Sequence, residues 1–293
     1  MEWIKNLSKA IDYIECNLAG DISYDEAARI ACCSTYYFQR MFSYVAGISL
    51  SSYIRRRRMT KAAFELQTSD KRVMDIGAKY GYDSPTSFNR AFQSVHSVAP
   101  TAARVEGTIL NSYPPIRFSI NVIGGESMSY RVEKRKAIRI VGIRVPLKED
   151  SEHNFQIVPK LWDETLRSDV FHEICKLCDQ DPNGILGVTA YKNPTEIYYY
   201  IGASTDKQVP ENMYELEIPE ATWVIFESVG PLPNTVQKVY KRFLTEWLPF
   251  SSYEYAKLPD IEVYPISEKS RVNRSQVWIA VNKIKEENKW IMI

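Results

Sequence analysis

Two short stretches carry the residues best suited to recognition chemistry. "FQRMF" occupies 38–42 and "FNRAF" occupies 88–92. In a helix, residues four apart share a face, so each pair of phenylalanines turns one side inward and leaves the residues between them on another. Gln39 and Arg40 stand between the first pair, Asn89 and Arg90 between the second. Arginine can bond O6 and N7 of guanine together, and glutamine or asparagine can do the same to N6 and N7 of adenine. The first residues of a helix in the major groove reach base edges first. Thr35 and Tyr36 in one copy, and Thr86 and Ser87 in the other, therefore join the candidates.

The two stretches lie in a longer repeat. Asp25, Ala28, Ser34, Phe38, Arg40, Phe42 and Val45 recur fifty residues later as Asp75, Ala78, Ser84, Phe88, Arg90, Phe92 and Val95. Around them the pattern predicts helices. Ile4, Leu7, Ile11, Ile14 and Leu18 recur at three and four, giving a helix over 3–18 that stops at Gly20. Ser23 to Glu26 is a capping box. Ser34 caps the next helix, and Ser84-Pro85 opens its counterpart. A helix over about 50–67 joins the copies and carries "RRRR" at 55–58, a run that reads equally as a polyanion contact or a solvated face. Such a rod could hold two recognition helices about 34 Å apart, one turn of DNA.

The whole-chain quantities bound the reading. A length of 293 residues suggests two domains, and 45% hydrophobic with 25% charged residues is ordinary for a globular protein. Net charge is +1, but residues 1–107 hold 14 basic and 11 acidic residues, so the excess is concentrated there. No apolar run approaches the roughly 18 residues needed to span a bilayer. The opening "MEWIKNLSKAIDYIE" does not read as a signal peptide, so a cytoplasmic protein with no membrane partner is expected. Cys175 and Cys178 form one C-x-x-C with His172 before it, but no fourth ligand follows at zinc spacing. Reduced thiols on a helix are the expectation, with no metal and no cofactor.

After 107 the composition changes. Pro114-Pro115 and Gly124-Gly125 bracket Ile116, Phe118, Ile120 and Val122, an alternation that predicts a short strand packed on the second domain. Strands follow at 137–145, "GILGVTAYKN", "EIYYYIGAS", 221–228, 260–266 and 276–284, with helices at 155–167 and 232–248. Two β-α-β-β units in tandem predict an α+β domain with helices packed on sheet. The fold class is thus multidomain: an all-α double helix-turn-helix domain (1–107), a linker (108–127) and a tandem β-α-β-β domain (128–290).

"STYYFQRMFSYVAGISLSSYIRRRRMTKAAFEL" and "DIGAKYGYDSPTSFNRAFQSVHSVAPTAAR" closely resemble the AraC/XylS family of bacterial transcription regulators. The resemblance covers about 4–107 and implies seven helices. It places Thr35, Tyr36, Gln39 and Arg40 on the first recognition helix, and Thr86, Ser87, Asn89 and Arg90 on the second. Ala99 and Ala103 stand where a proline and a larger residue are common. "IPEATWVIFESVG", "EWLP" and "DIEVYPI" resemble the GyrI-like effector-binding domain over about 128–284. That resemblance implies a cleft between two halves, binding lipophilic cations against aromatic walls and one buried carboxylate.

In "DIEVYPI", Glu262 and Tyr264 share a strand face; in "EIYYYIG", Tyr198 and Tyr200 share a face opposite Tyr199. Aromatic faces attract cations, so Glu262, Tyr264, Tyr198, Tyr200, Trp223 and Trp247 are the candidate effector-binding residues. The expected partners are promoter DNA, a small-molecule effector and RNA polymerase. The rival readings are a hydrolase using water held by Glu262, and a DNA-binding protein whose second domain only contacts other proteins. No nucleophile triad or phosphate loop supports an enzyme.

Overall fold

The computed structural model describes residues 2–118, 127–148, 151–193, 195–266 and 274–284. The chain divides into two compact units, Glu2–Ser119 and a second from Ile120 to the end.

The first unit is helical: α1 (Glu2–Cys16), α2 (Tyr24–Ile30), α3 (Thr35–Ala46), α4 (Leu50–Thr68), α5 (Val73–Lys79), α6 (Pro85–His96) and a 3₁₀ turn at Ala102–Arg104. The repeat is visible in the caps. Ser34 Oγ accepts from the Tyr37 amide and Ser84 Oγ from the Ser87 amide, each satisfying an orphan donor of its helix. Each helix ends in a left-handed residue, Gly47 in one copy and Ser97 in the other.

Phe38, Phe42, Phe88 and Phe92 are all buried, in two separate cores. α4 serves both. Leu50, Tyr53 and Ile54 lie in the first core; Met59, Ala62, Ala63 and Leu66 lie in the second. At about 1.5 Å per residue α4 is roughly 28 Å long, and the two cores pack on its successive halves.

Two members of the arginine run, Arg57 and Arg58, bond inward to the rest of the helical unit. Arg57 is buried and pairs with Glu15 at 2.8 Å, and Tyr53 Oη donates to the same carboxylate at 2.7 Å. Burial opposes ionisation of Glu15, but the bonds from Arg57 and Tyr53 outweigh it and leave its pKa lowered. Arg58 Nε donates to the Leu18 carbonyl at 3.1 Å and Nη2 to that of Gly20 at 2.5 Å, closing the open end after α1.

The linker departs from expectation. Ile116 and Phe118 form no strand and pack on the first core. Ile120, Val122, Gly124 and Gly125 lie outside the described residues.

The second unit contains β1 (Tyr130–Arg135), β2 (Ile138–Pro146), α7 (Ser151–Leu166), α8 (Asp169–Leu177), β3 (Ile185–Asn193), β4 (Glu196–Ser204), β5 (Tyr214–Ile218), β6 (Ala221–Val229), α9 (Asn234–Arg242), β7 (Tyr253–Tyr255), β8 (Ile261–Tyr264) and β9 (Arg274–Lys283). After α9 the chain makes one π turn (Phe243–Trp247) and one 3₁₀ turn (Leu248–Phe250).

All described strands join one antiparallel sheet in the order β1-β6-β9-β8-β3-β4-β2-β5, with β7 beside β9. The order is symmetric about the β8–β3 seam. The edge strands are exchanged: β1 precedes β2 but pairs with β6, while β5 precedes β6 but pairs with β2. Each half thereby completes the other. α8 packs on β4 and β2, and α9 on β6 and β9. Ile138, Ile140, Leu186, Val188, Trp223, Ile225, Ile261, Val263 and Trp278 form a core on the opposite face.

Candidate effector site and DNA-reading helices

The seam places a carboxylate among aromatic side chains. Glu262 on β8 lies directly opposite Gly187 on β3. Its Oε2 accepts from Tyr264 Oη at 2.8 Å and from Tyr199 Oη at 3.3 Å. Tyr199 Oη in turn accepts from Trp162 Nε1 of α7 at 2.8 Å. The Trp162 and Tyr264 rings meet edge to face, 5.0 Å between centroids. One helix and two strands thus hold three rings around one half-buried carboxylate. Gly187 leaves the room: a Cβ there would sit 2.4 Å from Tyr199 Oη and 3.1 Å from Glu262 Oε2. Negative charge beside aromatic surface suits a cation with apolar substituents.

The structure brings Glu262 and Tyr264 together as expected, but distributes the other candidates elsewhere. Tyr198 and Tyr200 face away from Tyr199, and Arg144 fills the space between them. Its guanidinium lies 4.0 Å from the Tyr198 centroid and 4.2 Å from that of Tyr214, and Nη1 donates to Tyr200 Oη at 3.0 Å. Cross-strand register causes this, since Arg144 pairs with Tyr200. Trp223 is wholly buried against Trp278, on the sheet face away from Glu262. Trp247 stacks between Phe243 and Tyr253 in a separate aromatic group.

Sequence reasoning missed Trp162, Gly187 and the choice of Tyr199. "EIYYYIG" is aromatic on both faces, so alternation grouped the tyrosines correctly without telling which group meets Glu262. The pairing of Gly187 with Glu262 decides it, and that is a long-range fact.

The thiols of Cys175 and Cys178 lie on and just after α8. Burial pushes both up, Cys178 to about 11, and its Sγ donates to the Gly184 carbonyl at 3.4 Å. Among the described residues no cluster of three or more His, Cys, Asp or Glu could hold a metal. No described helix is long and apolar enough to cross a membrane.

α3 and α6 present different surfaces. On α6, Thr86, Ser87 and Arg90 are exposed and Asn89 is half-buried. On α3, Thr35, Tyr36 and Gln39 are buried and Arg40 is half-buried, against the expectation of an exposed polar face. Local chemistry contributes to the contrast. Thr35 Oγ1 donates to Asp25 of α2 at 2.5 Å, and the Tyr36 and Tyr37 rings pack edge to face where copy two has Thr86 and Ser87. Arg40 Nε donates to Tyr44 Oη at 3.0 Å.

A family model described as an integron-associated effector binding protein matches residues 131–281, just over half the chain. A helix-turn-helix domain model matches residues 27–105. The TetD protein of transposon Tn10 from Escherichia coli is 44% identical over 92 residues, 31% of this chain and 67% of that protein. The HTH-type transcriptional activator AarP of Providencia stuartii is 37% identical over 105 residues, 36% of this chain and 78% of that protein. Among solved structures, SAV2435 bound to tetraphenylphosphonium is 18% identical, with a TM-score of 0.48, over 53% of this chain and 94% of that one. The chain therefore belongs to the integron-associated effector-binding protein family through its second domain, and its first domain makes it an AraC-type transcriptional regulator.

Proposed function

We propose that the effector is a lipophilic or aromatic cation held at Glu262, and that α3 and α6 read promoter DNA. The observation that carries the first part is the Glu262 carboxylate ringed by Tyr199, Tyr264 and Trp162 at the seam of the sheet. The rings supply apolar contact and the negative face of their π systems, and the carboxylate supplies countercharge. Tetraphenylphosphonium suits a test because it has a positive charge and no hydrogen-bond donor. Calorimetric titration of the full chain should give one site per molecule. Glu262→Gln should weaken it about tenfold or more, since it removes the countercharge and keeps the shape. Equal binding by that variant, or no binding by the unsubstituted chain, overturns the reading.

For DNA, α6 offers Thr86, Ser87, Asn89 and Arg90 as donors and acceptors to base edges. Gln39 and Arg40 supply the equivalent groups on α3. Contact by Thr35, Tyr36 and Gln39 requires their side chains to become exposed when DNA binds.

A further inference from the structure

The linker touches both helix-turn-helix units through a continuous series of bonds. Asn111 Nδ2 donates to the Val95 carbonyl at 2.7 Å, occupying an acceptor in the last turn of α6. The Asn111 amide donates to His96 Nδ1 at 3.2 Å, and His96 Nε2 bonds the Met59 carbonyl of α4 at 3.1 Å. The Tyr113 amide donates to Thr60 Oγ1 at 3.1 Å, and its carbonyl accepts from Arg57. The Ile116 amide donates to Tyr53 Oη at 3.2 Å.

The side chains repeat the division. Leu110 and Tyr113 pack on the second core; Ile116 and Phe118 pack on the first. Phe118 meets Phe42 of α3 edge to face at 6.3 Å. Pro114 and Pro115 stand between the two sets of contacts. Their fixed φ angles stiffen the connection and reduce the conformational freedom lost on docking.

We propose that residues 110–118 are a strap belonging to the DNA-reading unit, which fixes the spacing of its two recognition helices and so sets the operator spacing the protein accepts. Asn111, Tyr113, Ile116 and Phe118 are positioning residues. They act through α4, α6 and the core beneath α3 rather than by touching DNA. α4 alone leaves this spacing less constrained, because each unit packs on a different half of it. The strap adds a second connection between the units. One end holds the C-terminal turn of α6 and the other holds Phe42 of α3.

The proposal rests on reading by both helices, and the test separates the two claims. An operator is first selected from random duplexes with the full chain. Its affinity is then compared with that of the same operator carrying one extra base pair between the two contacted segments. The unsubstituted chain should bind the lengthened operator at least about tenfold more weakly, since one segment is thrown out of register. In the Asn111→Ala/Ile116→Ala/Phe118→Ala variant, that ratio should fall towards one. Thr60→Val, which removes a single latch without changing volume greatly, should lower it partway and covers the case in which the triple variant fails to fold. A merely structural role would weaken both operators equally and leave the ratio unchanged, which overturns the strap. A ratio of one in the unsubstituted chain overturns two-helix reading, and the strap with it.

Discussion

Gly187 is the residue whose absence of a side chain the proposed effector site depends on. It faces Glu262 across the seam, and its hydrogen occupies the space where Tyr199 Oη and Glu262 Oε2 converge. Gly187→Ala places a methyl 2.4 Å from the Tyr199 oxygen, so that hydroxyl must move and its bonds to Glu262 and Trp162 must lengthen. The expected outcome is a loss of cation affinity of about tenfold with operator affinity unchanged, the cost of disturbing a hydrogen-bonded charge being about 1.5–3 kcal/mol. Parallel titrations with tetraphenylphosphonium and with operator DNA check it, and undiminished cation binding refutes it. Of the residues grouped around this carboxylate, the sequence pointed to Glu262 and Tyr264. Glu262 and Tyr264 share a strand face through local alternation, which a short stretch suffices to specify. Trp162, Tyr199 and Gly187 come from α7, β4 and β3, and they meet Glu262 only through strand pairing across the seam. The aromatic pair that was expected there, Tyr198 and Tyr200, surrounds Arg144 because register places that arginine beside them.

Helix α6 and the strap meet at His96, which gives this element a pH dependence of definite sign. His96 is buried, with Nδ1 accepting the Asn111 amide and Nε2 left to donate to Met59. That pattern requires the neutral ring. Burial lowers its pKa, and the bond to the Met59 carbonyl acts in the other direction without cancelling it. The group is depressed in the folded state, so its contribution to stability is complete above the usual value of about 6.5 and is lost as pH falls through the lowered folded value. Protonating Nδ1 expels the Asn111 amide and loosens the strap. Imidazole resonances followed by NMR, assigned by their loss in His96→Gln, should titrate below about 6.5, with the Asn111 amide shift following the same midpoint. Titration at or above that value would refute the arrangement. The helices of this domain were readable because caps and periodicity are local: Ser34, Ser84 and the paired phenylalanines specify α3 and α6 almost to the residue. β1 and β5 were not, because edge strands are solvated on one side and carry residues such as Lys134 and Glu217 that mimic loops. The linker misled for a related reason. Ile116 and Phe118 alternate as a strand does, but alternation does not say which core receives them.

At the scale of the molecule, an effector domain and a DNA-reading domain in one chain make a ligand-responsive regulator only if each ligand changes the affinity for the other. A cation can shift a conformational equilibrium only by its unequal affinity for the two states. The coupling is then reciprocal: the factor by which saturating cation changes operator affinity must equal the factor by which saturating operator changes cation affinity. Both factors can be measured on the full chain with tetraphenylphosphonium and the selected operator, at one fixed salt concentration because phosphate contacts make DNA affinity strongly salt-dependent. The expected factor is about 5–150, equal within error in the two directions. Glu262→Gln should raise about tenfold the cation concentration that gives half of the effect on operator affinity, while leaving operator affinity in the absence of cation unchanged. The two domains would prove to be uncoupled if operator affinity stays constant under saturating cation. Cation binding at Glu262 and DNA binding by the helical domain would then stand as separate properties, and the signal for the operator would have to enter through another ligand.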